Sequence, residues 1–170
     1  MTGAPCDPRK LEKEDDCGEF SSGAAELDDW FRRFAFENLR ANNAITYVSC
    51  IGRTVVGFYS IAVAGVAKDD AHPQIAQRGV PSDIPCILLA RLAVDSAYQG
   101  QGLGVGLLQD ALTRAATISE SVGARAVLIH ARDEQARDFY ERNIECFRSP
   151  AAELQLMIPM KAVRHSFLKR

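Results

Sequence analysis

Leu92-Ala93-Val94-Asp95-Ser96-Ala97-Tyr98-Gln99-Gly100-Gln101-Gly102-Leu103-Gly104-Val105-Gly106-Leu107-Leu108 is the stretch whose reading decides the fold. It starts at the end of an almost continuously apolar run, Cys86–Val94, as expected of a strand covered on both faces. A glycine-dense turn follows and opens directly into a helix predicted from about Gly104 to Ser121. Leu107, Leu108, Ala111, Leu112, Ala115, Ile118 and Val122 form its apolar stripe, and Gly123 suits its stop. The glycines permit positive φ and let backbone come close to a ligand. The first N–H groups of a helix lack internal partners, and the helix dipole adds partial positive charge there. A strand–turn–helix of this kind is an anion site made of backbone, and the turn contains no Lys or Arg.

Outward from this stretch the chain alternates strands and helices. Towards the N-terminus, Ser21 or Ser22 is predicted to cap a helix from about Ala24 to Arg40, with Leu27, Trp30, Phe31, Phe34 and Ala35 at helical spacing and Asn42-Asn43 at its end. Ile45–Ile51 and Val55–Ala64 are β-rich runs joined by Gly52-Arg53, the signal for a tight antiparallel hairpin. From Lys68 to Pro85 the pattern breaks at Pro73, Gly79, Pro81 and Pro85, which predicts a long loop holding one short helical turn. Towards the C-terminus come a strand at Ala126–His130, a short helix capped by Asp133 and a final strand at Leu154–Met160. The order β-α-β-β-loop-β-α-β-α-β predicts one α/β domain with a mixed sheet.

Composition agrees with a globular chain. Its 170 residues, 47% hydrophobic and 25% charged, suffice for one packed core and are too few for two ordinary domains. No apolar run is long enough to span a bilayer, and Met1–Cys6 has neither a basic start nor an apolar segment, so a cytoplasmic protein without membrane association is expected. The five cysteines (Cys6, Cys17, Cys50, Cys86, Cys146) and three histidines are scattered, which predicts reduced thiols and no metal site. A net charge of −2 gives no bulk signal for nucleic acid, but residues 161–170 close the chain with a basic tail.

Two common phosphate loops are excluded by residue type. A Walker loop needs a lysine after its second glycine, and none is present. The dinucleotide fingerprint needs Gly-x-Gly-x-x-Gly, and neither Gly100 nor Gly102 starts such a frame. Gln99-x-x-Gly102-x-Gly104 instead resembles the pyrophosphate-binding pattern of the GCN5-related N-acetyltransferases (GNAT), and Leu92-Ala93-Val94-Asp95 resembles that family's preceding strand. The resemblance implies a single GNAT domain over residues 1–170, with a core of about 8–161 and a mixed, mostly antiparallel central sheet flanked by helices. It implies acetyl-CoA as cosubstrate, with the backbone of Leu92 and Val94 on the pantetheine arm. Gln99, Gly100, Gln101, Gly102, Leu103, Gly104 and Val105 would then surround the pyrophosphate.

Ala136–Arg142 resembles the same family's Ala-x-x-Phe-Tyr-Glu-x pattern, whose tyrosine implies a catalytic role for Tyr140. When an amine attacks a thioester carbonyl, collapse of the adduct expels a thiolate. A phenol in reach can protonate that leaving group as a general acid, and a backbone N–H, Val94 by resemblance, can stabilise the oxyanion. The amine must be neutral. A lysine side chain with an ordinary pKa of about 10.4 needs a base, whereas of an α-amine near about 7.7–8.0 a large fraction is already neutral. No carboxylate or histidine base stands out, which favours an acceptor of low pKa.

Over roughly residues 8–161 the chain is similar to one subgroup, the acetyltransferase toxins of bacterial toxin–antitoxin pairs. The similarity runs through Phe20–Phe31, Thr46-Tyr47-Val48, Val56–Tyr59, Leu89–Val94, His130–Asp133, Phe139–Arg142, Ser149-Pro150 and Leu156-Met157. It implies an acceptor, the α-amine of aminoacyl-tRNA, with arrest of translation as the result. It also implies a ribbon-helix-helix antitoxin as partner and a homodimer. Candidate tRNA contacts are Arg32, Arg33, Arg40, Arg78 and Arg91, with Lys161, Arg164, Lys169 and Arg170 in the tail. The subgroup has an aromatic–glycine–aromatic turn after Tyr-Glu-x, but this chain has Asn143-Ile144-Glu145-Cys146-Phe147, so a different turn is expected. The residues alone also admit an acetyltransferase for small-molecule or protein amines, and a non-catalytic CoA-binding module.

Overall fold

In the computed structural model, which describes residues 3–168, strand β1 (Arg9–Lys10) is followed by helix α1 (Ala25–Arg40) and the strands β2 (Ile45–Ile51), β3 (Thr54–Ala67) and β4 (Asp83–Val94). Then come α2 (Leu103–Ile118), β5 (Ala126–His130), α3 (Glu134–Asn143), β6 (Phe147–Arg148), β7 (Gln155–Pro159) and α4 (Met160–Phe167). The strands are hydrogen-bonded in the order β1-β2-β3-β4-β5-β7-β6. β4 and β5 are parallel, while β1–β2, β2–β3, β5–β7 and β6–β7 are antiparallel. This is the α/β architecture with a mixed sheet that the element order predicts, mostly antiparallel as the resemblance implies. By backbone contacts the chain divides into two compact units, Met1–Ala62 with Arg91–Asp110, and Val63–Ala90 with Ala111–Arg170.

In the first unit, β2 and β3 form the predicted hairpin, in register from Ile45↔Ile61 to Ile51↔Thr54. That leaves Gly52-Arg53 as a two-residue turn, and Gly52 takes the required positive φ of 62°. β3 runs beyond the predicted Ala64 to Ala67. Phe31 and Ala35 of α1 pack with Phe20, Val48, Phe58 and Ala93 in one apolar cluster. Phe31 and Phe58 stack with ring centres 4.1 Å apart. Two expectations for α1 fail. Its N-cap is Ala24, not a serine; Ser22 sits two residues earlier and gives its N–H and hydroxyl to the buried Asp28 carboxylate at 3.0 and 2.6 Å. Phe34 is exposed, because the buried stripe of α1 runs through Asp28, Phe31 and Ala35, and its ring carries the Arg33 guanidinium at 5.2 Å.

In the second unit, β5 lies between β4 and β7, and its Ala126, Leu128 and the Met157 of β7 join Val66, Ile75, Ile84 and Cys86 in a second cluster. Asp133 caps α3 as predicted, accepting from the Ala136 N–H at 2.8 Å. α2 ends at Ile118, three residues before the predicted end, so Val122 lies in the following turn and is 61% exposed. The predicted basic tail is corrected as well. Met160 and Val163 are buried at helical spacing, so the segment is α4 as far as Phe167. Its Arg164 lies 4.0 Å from Glu120, Lys161 is exposed, and Lys169 and Arg170 fall outside the described residues.

Candidate active site

The Gln99–Gly104 turn is fixed in the first unit by three elements. β4 delivers Leu92 and Val94, and its parallel register with β5 ends at Leu89↔Ile129, five residues before Val94. A single-turn 3-10 helix, Ser96–Tyr98, is capped by Asp95, whose carboxylate accepts from the Ala97 N–H at 3.0 Å. The chain before α1 completes the frame: the Ser21 N–H donates to Asp95 Oδ2 at 3.1 Å, and the Ser96 N–H donates to the Ser21 carbonyl at 2.8 Å. Gln99 spends both amide hydrogens inside this frame, donating from Nε2 to the carbonyls of Ser22 at 2.9 Å and Val94 at 2.8 Å. Its side chain is therefore a brace, and the donors left for an anion are backbone N–H groups.

Those donors are well placed. Gly100 and Gly102 have φ of 78° and 86°, the left-handed region that glycine occupies without strain. The first intrahelical bond of α2 runs from the Gly106 N–H to the Gly102 carbonyl at 3.1 Å, so the preceding N–H groups at Leu103, Gly104 and Val105 face outwards without intrahelical partners. A Cβ built on Gly100, Gly102 or Gly106 would meet nothing within 4 Å, so the space over the turn is open. The loop is seated from below by Gly57 of β3, where a Cβ would come within 2.9 Å of Leu107 Cδ1 and 3.3 Å of Leu103 Cδ2. An open cradle of unpaired backbone donors at the N-terminus of a 16-residue helix fits a pyrophosphate.

Tyr140 lies in the second unit on α3, 4% exposed, with its ring edge-on to Phe139 at 5.3 Å. Burial pushes its pKa upward, so the phenol stays protonated across the working range of an enzyme. Among the described residues its hydroxyl has no hydrogen-bond partner, which leaves an acid free to donate. Its neighbours hold the helix in place. Glu141 takes two hydrogen bonds of 2.9 Å from Arg148 of β6, and these hold its carboxyl below the usual range. Buried Arg137 approaches Glu141 at 3.8 Å and donates to the Glu153 carbonyl at 3.2 Å. Sequence reasoning did not anticipate Arg137; an arginine at an inward helical position one turn before Tyr140 was the available signal.

The five arginines proposed as substrate contacts separate into distinct cases. Arg32 is tied to the Phe20 carbonyl and Arg33 to Asp29 at 3.3 Å, so both already serve α1. Arg40 and Arg78 are exposed, the former ending α1 and the latter in the loop before β4. Arg91 on β4 is partly buried, with its guanidinium 3.7 Å from the ring centre of Trp30. All five cysteines are free thiols. Among the described residues no group of three or more His, Cys, Asp or Glu could hold a metal ion, and no helix is long and apolar enough to cross a membrane.

Comparison with known proteins shows the family of the chain. The family model described as Acetyltransferase (GNAT) family matches residues 10–144. The chain belongs to the GNAT acetyltransferase family. Its chemistry is accordingly acetyl transfer from acetyl-CoA to an amine, and the Gln99–Gly104 cradle suits the pyrophosphate of that cosubstrate. The chain is 43% identical over 157 residues to a tRNA-acetylating toxin of Mycobacterium tuberculosis (strain ATCC 25618 / H37Rv), covering 92% of this chain and 93% of the relative. Among solved structures, AtaT complexed with acetyl-methionyl-tRNAfMet matches with a TM-score of 0.85 at 23% identity, over 94% of this chain and 98% of that one. A tyrosine-to-phenylalanine variant of AtaT bound to the C-terminus of the antitoxin AtaR and acetyl-CoA matches with a TM-score of 0.80 at 23% identity, over 95% and 98%.

Proposed function

We propose that this GNAT enzyme is a toxin that acetylates the α-amine of aminoacyl-tRNA in the cytoplasm and so blocks translation. The observation that carries the reading is the 43% identity, across nearly the whole of both chains, to a tRNA-acetylating toxin. The likeness to AtaT in complex with its acetylated tRNA product agrees with it.

The division of labour follows from the residues. Acetyl-CoA supplies an activated acetyl thioester. The N–H groups of Gly100 to Val105 hold its pyrophosphate, Gln99 keeps their loop in shape, and the β4 backbone at Leu92 and Val94 lines up the pantetheine arm. Tyr140 gives its phenolic proton to the departing thiolate, a role supported by the protonated, unpartnered hydroxyl of this otherwise buried side chain. An aminoacyl ester carries a more acidic α-amine than a free amino acid. A large fraction is neutral near pH 7.5, so the absence of a general base from this assignment is chemically consistent. Of the five arginines, Arg40, Arg78 and Arg91 stand as the cationic contribution to tRNA binding, since Arg32 and Arg33 are engaged by the Phe20 carbonyl and Asp29. A small antitoxin of the ribbon-helix-helix class and a homodimeric assembly complete the proposal; the AtaT–AtaR complex supports an antitoxin partner as such.

The test is incubation with labelled acetyl-CoA and total charged tRNA, then deacylation. Label that leaves with the amino acid supports the reading. Transfer to polyamines or peptides at rates far above those on charged tRNA overturns it.

A further inference from the structure

Arg91 stands apart among the cations of the first unit. Arg9 is neutralised by Asp15 at 2.8 Å, Arg33 by Asp29 at 3.3 Å and Arg53 by Glu12 at 3.6 Å, while Arg32 serves the Phe20 carbonyl. Arg91 is partly buried, yet among the described residues it has no carboxylate or carbonyl partner, only the face of Trp30 at 3.7 Å. Burial without a counter-charge is costly for a guanidinium, and the stack returns part of that cost while fixing the plane of the group. The platform is itself rigid, since Trp30 stacks on Phe58 at 6.5 Å and Phe58 on Phe31 at 4.1 Å. A cation held still, with its donors unspent, is prepared for an anion that arrives with a ligand.

Its position says which anion. Arg91 immediately precedes Leu92 and Val94, the backbone assigned to the pantetheine arm, and lies three residues, about 10 Å of strand, from Val94. It shares a strand face with Ala93, which packs with Phe31 and Phe58 beneath α1. The pyrophosphate cradle lies beyond the other end of this segment, after Val94, so Arg91 is placed towards the thioester end of the arm rather than the phosphate end. In an aminoacyl-tRNA the reacting amine is separated from the nearest phosphate only by the ester and the terminal ribose.

We propose that Arg91, held flat by Trp30, binds the phosphate on the 5′ side of the tRNA's terminal adenosine and thereby sets the amine against the thioester. This rests on the reading of the chain as an aminoacyl-tRNA acetyltransferase. Arg91 and Trp30 are the specific acceptor-end contact, and the exposed Arg40 and Arg78 are left to diffuse attraction.

The experiment is a cycle of two changes read as KM for charged tRNA. One is Arg91→Gln; the other is a neutral methylphosphonate in place of that single phosphate. Each alone raises KM about 10- to 100-fold, as loss of a charge-assisted bond predicts, and the second change adds little once the first is made. Arg91→Gln lowers the slope of log KM against log salt by about one and leaves the Kd for acetyl-CoA within twofold. Arg91→Lys keeps the slope with a smaller rise in KM, and Trp30→Leu raises KM with the slope intact. Wild-type KM and salt slope in Arg91→Gln, or full additivity of the two changes, overturn the proposal. If Arg91→Gln does not fold, the methylphosphonate substrate with the wild-type enzyme decides alone: an unchanged KM overturns it. If wild-type enzyme transfers nothing to charged tRNA, the functional reading itself falls, before any variant is compared.

Discussion

Gln99 offers the sharpest test of how the cradle works, because its side chain braces the loop while the backbone is assigned the ligand. Gln99→Ala removes both Nε2 bonds, to the carbonyls of Ser22 and Val94 at 2.9 and 2.8 Å. At about 0.5–1.5 kcal/mol net per bond, the loss is about 1–3 kcal/mol. Gln99 is exposed and Ser22 only partly buried, so water can reach the freed Ser22 carbonyl and the lower end of that range applies, about 1–1.5 kcal/mol. All of this acts on the organised form of the loop, so acetyl-CoA affinity falls by at most about 5- to 12-fold. Gln99→Glu removes the same donors, faces two carbonyl oxygens with a carboxylate, and puts a negative charge beside an anion site. A like charge at about 4 Å in a water-like medium costs about 1 kcal/mol more, so its affinity falls about 30- to 70-fold. Isothermal titration of acetyl-CoA at pH 7.5, with Tm recorded for each protein, measures both. An alanine variant within twofold of wild type, or a glutamate variant no weaker than alanine, refutes the brace.

Three other outcomes follow from the same geometry. Gly57→Ala sets a methyl against Leu107 and Leu103 at 2.9 and 3.3 Å; it should cost about 1–3 kcal/mol in denaturant titration and weaken acetyl-CoA binding by shifting the first turn of α2. Tyr140→Phe should leave Tm nearly unchanged, since the hydroxyl lacks a partner among the described residues, while kcat falls about 10²- to 10⁴-fold. Because burial raises the Tyr140 pKa, its proton is retained through and beyond the ordinary value, and kcat should show no descending limb below about pH 10. Burial alone would raise the Asp15 carboxyl, but the Arg9 hydrogen bonds and the Glu12 N–H outweigh it and hold it below its usual value. That stabilisation is present above the ordinary carboxylate range and is lost as pH falls, so Arg9→Ala should destabilise by about 2–4 kcal/mol at pH 7 and by much less near pH 3, read from urea midpoints.

The parts legible in the sequence are those where local signals agree. Ile45–Ile51 and Ala126–His130 are strands over the predicted residues, because each is a short apolar β-rich run with turn chemistry beside it. Asp133 is a cap because an acceptor side chain stands directly before a helical run. The misses come from tertiary context. β1 and β6 have two residues each, and their pairing with β2 and β7 leaves no periodic trace. α4 hid because Lys161, Arg164 and His165 read as a solvated tail; only the spacing of Met160 and Val163 betrayed a buried face. For the cradle, the glycines announced an anion site, but that Gln99 braces the loop depends on Ser22, 77 residues away in the chain.

The missing glycine after Tyr-Glu-x has a physical resolution that bears on catalysis. A glycine there would serve a left-handed residue ending α3. Here Ile144 leaves the helix in extended conformation, φ −142° and ψ 148°, with its N–H on the Tyr140 carbonyl at 3.0 Å. The Asn143 side chain donates to the Phe139 carbonyl at 2.7 Å, so the last turn is closed without any left-handed residue. What a sharp turn would have fixed is fixed instead by side chains: Arg148 of β6 grips Glu141 through two bonds, and Arg137 reaches the Glu153 carbonyl. The glycine is therefore dispensable only while the Glu141–Arg148 pair survives. Its removal should disturb the placement of Tyr140 more than it disturbs stability, since both partners are partly exposed and exposed pairs contribute little to folding.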